Sequence, residues 1–148
     1  MEQFRASGFV AEDSLALSSY AGVIRLKGEI ACLGEIVVYV DKLIEERDDG
    51  PDPLICTFKY TYNAWVRGHQ SFMRVDNAHP HPGHQDEHHR HKMDWRTGEE
   101  LPGSPAWVGV AGWPTLGEFL DDVQRWFWEH RGSLPNPDSH PQLGMRSE

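Results

Sequence analysis

The stretch of sequence that decides the fold is LICTFKYTYNAWV, residues 54–66, followed by RGH and then by QSFMRVD, residues 70–76. Apolar and polar side chains alternate through the first segment, so that Tyr60 and Tyr62 fall on one face of an extended chain and Thr61 falls on the other. This period of two predicts a β-strand with one buried face. The short connection contains a glycine and predicts that the two segments form an antiparallel hairpin.

The second strand of this hairpin brings a cation and a carboxylate to its end. The same alternation places Phe72, Arg74 and Asp76 on one face and Met73 and Val75 on the opposite face. We therefore expect the guanidinium of Arg74 and the carboxylate of Asp76 to lie side by side where the strand ends.

Further strands are predicted on both sides of the hairpin. Residues 23–27, 29–33 and 35–40 are rich in β-branched side chains and are punctuated by glycines, and residues 106–110 have a similar composition. Together with the hairpin, these segments predict an antiparallel sheet of about four to six strands.

The strongest local signal belongs to a helix that follows residue 115. Thr115 and Glu118 have the spacing of a capping box, which satisfies two otherwise unpaired backbone donors. Gly132 marks the end of the helix. Apolar side chains recur between them at helical spacing and predict a buried stripe of Leu116, Phe119, Leu120, Val123 and Phe127. We therefore expect an α+β fold in which the antiparallel sheet packs against one long C-terminal helix.

Length and composition predict one domain and argue against some binding partners and cellular locations. Residues 1–131 hold all the predicted elements, and residues 132–148 are rich in Pro, Gly and Ser and predict a disordered tail. The net charge of −9 argues against broad non-specific binding to nucleic acid, although it is compatible with a local basic cleft. The chain shows no signal peptide and no apolar run of membrane-spanning length. Cys32 and Cys56 lie in strand-like runs and predict buried free thiols in a cytoplasmic protein.

Six of the nine histidines fall in one segment, HPHPGHQDEHHRH, residues 79–91. Histidine changes its charge near neutral pH, and its imidazole is the commonest metal ligand in proteins. The segment therefore has three interpretations, which are a solvated polar loop, a metal site and a site of acid–base catalysis.

A metal site requires several of these histidines to converge. In a helical segment His84, His88 and His91 would share a face, whereas in an extended segment His89 and His91 would do so. The candidate ligands for Zn²⁺ or Ni²⁺ are His81, His88, His89 and His91.

Acid–base catalysis requires fewer residues. Cleavage of RNA without a metal needs a base for the 2′-hydroxyl proton, an acid for the leaving 5′-oxygen and a cation beside the phosphate, and histidine suits both proton-transfer roles. We expect His89 and His91 to act as base and acid, Arg74 to hold the phosphate, and Asp76 to orient a histidine or the arginine.

The order of the motifs resembles that of a known family. A Tyr-x-Tyr strand, a strand ending in Arg-x-Asp-Asn, a His-Pro pair, a His-His-basic-His element and a Thr-capped helix follow one another, as in the TumE family of toxins from type II toxin–antitoxin pairs. The residues that carry the resemblance are Tyr60-Thr61-Tyr62, Arg74-Val75-Asp76-Asn77-Ala78, His81-Pro82, His88-His89-Arg90-His91 and residues 115–127. The resemblance implies a small cytoplasmic toxin whose cognate antitoxin commonly carries a helix-turn-helix domain.

Three functions are therefore open at this stage. The first is a toxin that acts as an endoribonuclease, with or without metal assistance. The second is a metal-binding protein, and the third is a partner-binding module without chemistry that uses Trp126 and Trp128 beside the helix stripe. The expected partners are the antitoxin, an RNA substrate and, in a homo-oligomer, a second copy of the chain; no membrane is expected.

Overall fold

The structure is a computed structural model that describes residues 1–47, 54–77, 88–109 and 114–144, with the backbone alone at residues 46, 47, 54–56 and 58. In chain order, the elements of the described residues are α1 Glu2–Ala6, β1 Val10–Asp13, β2 Ala16–Tyr20, β3 Val23–Cys32, β4 Ile36–Arg47, β5 Leu54–Val66, β6 Ser71–Asp76, β7 His89–Lys92, β8 Ala106–Trp107 and α2 Leu116–His130, followed by a 3-10 turn Arg131–Ser133.

The strands form one antiparallel sheet in the order β1-β3-β4-β5-β6-β7-β8, with β2 also paired to β3. An antiparallel sheet with one long C-terminal helix is confirmed, but the predicted count of four to six strands is wrong, because the described residues form eight. The side chains of β2 are all exposed, so this strand carries no apolar alternation. β7 has four residues and begins within the histidine-rich segment, whose polar composition gives no strand signal.

The predicted hairpin of β5 and β6 is confirmed, but one of its side chains lies on the other face from that predicted. The pairing register shifts between Ala64 and Trp65, which leaves Phe72 as the extra residue of a β-bulge. The ring of Phe72 therefore turns toward α2 and stacks on Trp126, with 3.6 Å between the ring centroids. Strict alternation placed Phe72 beside Arg74, and it fails here because a bulge shifts the alternation by one residue.

Helix α2 has the predicted beginning and the predicted buried face. The Thr115 hydroxyl accepts from the Glu118 backbone N–H at 3.2 Å, and the Glu118 carboxylate accepts from the Thr115 N–H at 3.3 Å. The buried residues of the helix are Phe119, Leu120, Val123 and Phe127, with Leu116 partly buried against them. No helix in the described ranges is long and apolar enough to cross a membrane.

The core lies between α2 and one face of the sheet, which we call the helix side; the opposite face is the outer face. The ring centroids of Tyr62 and Phe119 lie 5.5 Å apart, and burial raises the pKa of Tyr62 to about 12. Cys32 is a buried free cysteine, as predicted, and burial raises the pKa of its thiol as well. The side chain of Cys56 lies outside the described part of the structure.

The segment after α2 folds back onto the first half of the sheet. Leu134 is buried in the core, the Ser139 carbonyl accepts from the Gly34 backbone N–H at 2.9 Å, and His140 Nε2 lies 2.9 Å from a carbonyl oxygen before β1. Composition predicts a disordered tail from residue 132 onward, whereas these contacts anchor its described part, residues 132–144, on the domain. Composition averages over a segment, whereas a few single residues anchor this one.

Candidate functional site

The residues predicted to be catalytic lie on two neighbouring strands, on the outer face of the sheet. Asp76 of β6 is opposite His89 of β7, and Arg74 is opposite His91. Residues that are directly paired in antiparallel strands share a face, so the four side chains form two adjacent rows. The extended arrangement of the histidine segment, rather than the helical one, is the arrangement present at residues 89–92.

Asp76 links the two rows. Its Oδ1 lies 3.1 Å from His89 Nε2, and its Oδ2 lies 3.1 Å from Arg74 Nε. The contact to Arg74 is an ion pair without hydrogen-bond alignment. Since an ionised carboxylate only accepts hydrogen bonds, Asp76 holds His89 with a proton on Nε2. The Asp76 side chain is 5% exposed and that of Arg74 is 41% exposed, so the guanidinium is the member of this group that meets solvent.

His91 has a carboxylate partner of its own, Glu100. The His91 Nδ1–H donates to Glu100 Oε1 at 2.6 Å, and the Ser104 hydroxyl donates to the other carboxylate oxygen. An isolated β-bridge between Met93 and Glu100 brings this carboxylate back to β7. Partial burial alone would raise the pKa of Glu100, but the hydrogen bonds from Ser104 and His91 outweigh it and hold that pKa below its ordinary value.

The two imidazoles are neighbours. Their ring centroids lie 4.9 Å apart, and the ring planes meet at 79°. Glu100 fixes the proton of His91 on Nδ1, so Nε2 of the neutral ring carries the lone pair. That Nε2 is buried and makes no hydrogen bond within the described residues. We refer to five residues together as the outer-face cluster, namely Arg74, Asp76, His89, His91 and Glu100.

Two further residues flank the cluster. Asn63 of β5 is opposite Arg74, and its Oδ1 is buried without a hydrogen-bond partner among the described residues. Trp107 of β8 is opposite His89. Sequence reasoning singled out neither of them as site residues, and it also missed Glu100. The register of the hairpin would have identified Asn63. Trp107 and Glu100 come from the region after β7, where the sequence has no periodic pattern.

His88 and Arg90 lie on the helix side of the sheet and are separated from the cluster. His88 Nδ1 is 3.1 Å from the Tyr60 hydroxyl oxygen, and the two rings stack with 5.8 Å between centroids. Arg90 forms an ion pair with Asp122 of α2 at 3.5 Å. Successive residues of a strand point to opposite faces, which separates these side chains from their neighbours in sequence.

The predicted metal-ligand set is divided by the structure. His89 and His91 are adjacent on the outer face, whereas His88 lies on the helix side. In the part of the chain that the structure describes, no group of three or more His, Cys, Asp or Glu side chains is arranged to hold a metal ion. The predicted ligand His81 lies outside the described residues, as do His79 and His84.

Asn77 anchors the end of β6, where Asp76 is placed. Its side-chain Oδ1 accepts from the Tyr60 backbone N–H at 2.9 Å, and its own N–H lies 3.4 Å from the Tyr60 carbonyl oxygen. The asparagine thus extends the pairing with β5 by one residue beyond the strand and holds the preceding carboxylate in register.

Comparison with protein families identifies the chain. The family model described as Toxin TumE matches residues 5–127, a range that includes every member of the outer-face cluster. The chain belongs to the TumE family. The resemblance predicted from the motifs is therefore confirmed, and this TumE protein has the role of a toxin, with an antitoxin as its partner in a toxin–antitoxin system. Comparisons with curated proteins and with solved structures gave no match.

Proposed function

We propose that this TumE protein is an endoribonuclease and that the outer-face cluster is its catalytic site. The observation that carries the proposal is the pair of adjacent imidazoles, each held by its own carboxylate, beside a partly exposed guanidinium. Cleavage of RNA by its own 2′-hydroxyl requires three groups of this kind, which are a base, an acid and a cation near the phosphate.

His91 acts as the base in this scheme. Its Nε2 takes the proton of the ribose 2′-hydroxyl, and the 2′-oxygen then attacks the adjacent phosphorus. Glu100 keeps the other ring proton on Nδ1 and stabilises the imidazolium that forms, because a carboxylate at 2.6 Å interacts favourably with the developing charge. Since Nε2 is buried, binding of the substrate includes displacement of the atoms that cover it.

His89 acts as the acid. In its imidazolium form it keeps the Nε2 proton directed at Asp76 and donates the Nδ1 proton to the 5′-oxygen as the bond from phosphorus to that oxygen breaks, which leaves a 2′,3′-cyclic phosphate on one product and a 5′-hydroxyl on the other. Arg74 stabilises the charge on the non-bridging phosphate oxygens. Asp76 orients both His89 and Arg74, because its two carboxylate oxygens contact one each.

The acidic composition of the chain is compatible with this role, because contacts to phosphate are local. Lys27 and Lys59 are exposed, and the register places them on the outer face with Arg74. Asp41, on the same face, is neutralised by two hydrogen bonds from Arg25. Acidic residues farther away than a Debye length of about 8 Å are largely screened at physiological salt.

The proposal predicts that two conservative substitutions abolish toxicity in a growth assay with induced expression. In His91→Asn, the amide retains a donor for Glu100 but lacks a base at the Nε2 position. In His89→Gln, the amide retains a donor for Asp76 but cannot donate a proton to the leaving oxygen. We expect each variant to restore growth while the protein remains folded, as measured by circular dichroism and by its melting temperature.

The matched controls change the same residue types away from the cluster. His69 is exposed on the turn between β5 and β6, and Arg125 is exposed on α2. Expression of His69→Ala and Arg125→Ala should remain toxic, whereas Arg74→Ala should not. Full toxicity of His91→Asn or of Arg74→Ala in a folded protein would exclude the cluster as the catalytic site.

A further inference from the structure

The edge strand β2 has features that the proposed catalysis does not use. All five of its residues are exposed, and Leu17 and Tyr20 are exposed to 70% and 88%, more than any other large apolar side chain of the described residues. In this part of the structure β2 pairs only with β3, so its other side is a free edge of the sheet. A free, exposed edge is a ready template for another strand.

Within the described residues, β2 lacks the charge, the proline and the bulge that monomeric proteins often place on such edge strands. Edges are normally shielded by charged side chains, by proline or by a bulge. One residue in four of this chain is charged, yet residues 14–24 contain neither a charged side chain nor a proline. The pairing of β2 with β3 is also regular along its whole length. The sequence therefore leaves this edge open to pairing.

The turn after β2 shows which backbone groups point outward. Ala21 and Gly22 have φ values of +52° and +81°, as in a two-residue type I′ turn. In such a turn the carbonyl of Tyr20, the residue before the two central ones, accepts from the N–H of Val23, the residue after them. Bonded and non-bonded pairs alternate along an antiparallel ladder. Tyr20 therefore bonds to β3, and the odd-numbered residues Leu17 and Ser19 direct their N–H and C=O groups to the free edge.

We propose that this edge is the dimer interface of the protein, in which β2 pairs antiparallel with β2 of a second copy about a two-fold axis at Ser18. Leu17 of each copy then lies opposite Ser19 of the other, and the two residues exchange their outward backbone hydrogen bonds. Leu17 of both copies falls on the helix side, beside Ile24, which is 40% exposed. The pairing gives the outward backbone N–H and C=O groups of both copies a hydrogen-bond partner.

A second copy fits this edge better than a partner attracted by charge. This chain has a net charge of −9, so a partner attracted to it by electrostatic complementarity would be basic and would bind where acidic side chains are exposed. Strand β2 has no acidic side chain for such a partner to contact. In an isologous interface the residue on the axis faces its own counterpart and its neighbours lie diagonally across from theirs, so a charge there would have a like charge close by. The absence of charge over residues 14–24 is the composition that self-pairing requires.

The first test measures association of the full chain by sedimentation velocity over a range of concentrations. We expect the unmodified chain to dimerise, and Ser19→Pro to raise the concentration of half-association by at least about tenfold, because each copy loses an outward donor. Proline is tolerated at this position of an isolated edge strand, where the N–H faces solvent. Leu17→Lys should weaken the dimer similarly, whereas Trp128→Lys, which changes an exposed tryptophan of α2, should leave it unchanged.

The second test fixes the register by cross-linking and does not depend on how well Ser19→Pro folds. Counterparts on the axis lie about 4.5 Å apart at Cα, within the range of a disulfide, so Ser18→Cys should form a covalent dimer under mild oxidation. In Tyr20→Cys the two cysteines are about 13 Å apart along the strands and should not cross-link. A chain that stays monomeric at all concentrations, or that cross-links equally through both positions, would refute the proposal. So would a Ser19→Pro defect confined to antitoxin binding, which would assign the edge to the antitoxin instead.

Discussion

At the scale of single residues, the site depends on which nitrogen of each imidazole is occupied. Glu100 holds His91 through Nδ1, and Asp76 holds His89 through Nε2. The two rings are therefore held through opposite nitrogens, although they are neighbours on one strand. This asymmetry gives two residues of the same type different environments, as a base and an acid in one reaction require.

Glu100 is the residue whose role is most open to test. Replacing Glu100 by Gln leaves a side chain that can also donate a hydrogen bond, so His91 is no longer restricted to the tautomer with its lone pair on Nε2. We expect kcat for RNA cleavage to fall by at least about tenfold, with little change in KM, because the residue positions a base and does not contact the substrate. Unchanged kcat in this variant would show that the carboxylate does not position His91.

The same variant has a second readout in the pH dependence of stability. The pKa of Glu100 is lower in the folded protein than in the unfolded chain, so its contribution to stability is complete above the unfolded pKa of about 4.3 and is lost as the pH falls through the folded value. Urea unfolding should therefore show Glu100→Gln to be less stable at pH 7 than the unmodified chain, with the difference disappearing in acid. The loss should be below about 1 kcal/mol, because the side chain is 42% exposed.

Among single residues, Arg74 and Asp76 were predictable as a pair because alternation along β6 holds beyond its bulge. The contacts of His89 and His91 with them required the register between β6 and β7, and that register depends on a connection whose composition carries no pairing signal. Glu100 was not predictable, since an isolated bridge rather than a regular strand places it.

At the scale of elements, the turn between β3 and β4 fixes how α2 sits on the sheet. Gly34 in this turn has a φ of +84°, and a Cβ added there would lie 2.9 Å from the ring of Phe127 and 3.0 Å from Leu134. Both the backbone conformation and the close approach of the helix therefore require glycine. Gly22, in the turn between β2 and β3, has a similar φ of +81° but no atom near the added Cβ.

These two glycines make a matched pair of substitutions. Gly22→Ala should lower the free energy of unfolding by about 1–2 kcal/mol, the cost of a left-handed conformation for alanine. Gly34→Ala adds the cost of overpacking against Phe127 and should lower it by about 2–5 kcal/mol in total. Urea unfolding at 25 °C measures both, and equal losses would show that α2 does not pack closely on this turn.

Among the elements, those with a strong period were predictable and those without were not. The capping box and apolar stripe determined α2, and alternation determined β5 and β6. Strand β2 exposes both faces, and β7 is too short to show a period, so tertiary pairing rather than local pattern defines them. For the same reason, the bulge that turns Phe72 toward α2 has no signature in the alternation.

At the scale of the whole molecule, the sheet separates the packed core from the proposed catalytic cluster. Its helix side holds the core with α2, and its outer face holds the cluster, so neighbouring residues such as His88 and His89 serve different purposes. A crowded run of histidines suggested one site, but the pleat of β7 divides its described members between the two faces.

The central claim is that the outer-face cluster cleaves RNA through the 2′-hydroxyl, and the end groups of the products test it most directly. Purified protein should convert an RNA oligonucleotide into fragments that end in a 2′,3′-cyclic phosphate and begin with a 5′-hydroxyl. A 2′-deoxy substitution at the cleaved nucleotide should block the reaction, and His91→Asn should reduce it by at least about 100-fold, as expected for loss of a general base. Cleavage of the 2′-deoxy substrate, products that carry a 5′-phosphate, or full activity of His91→Asn would contradict the claim.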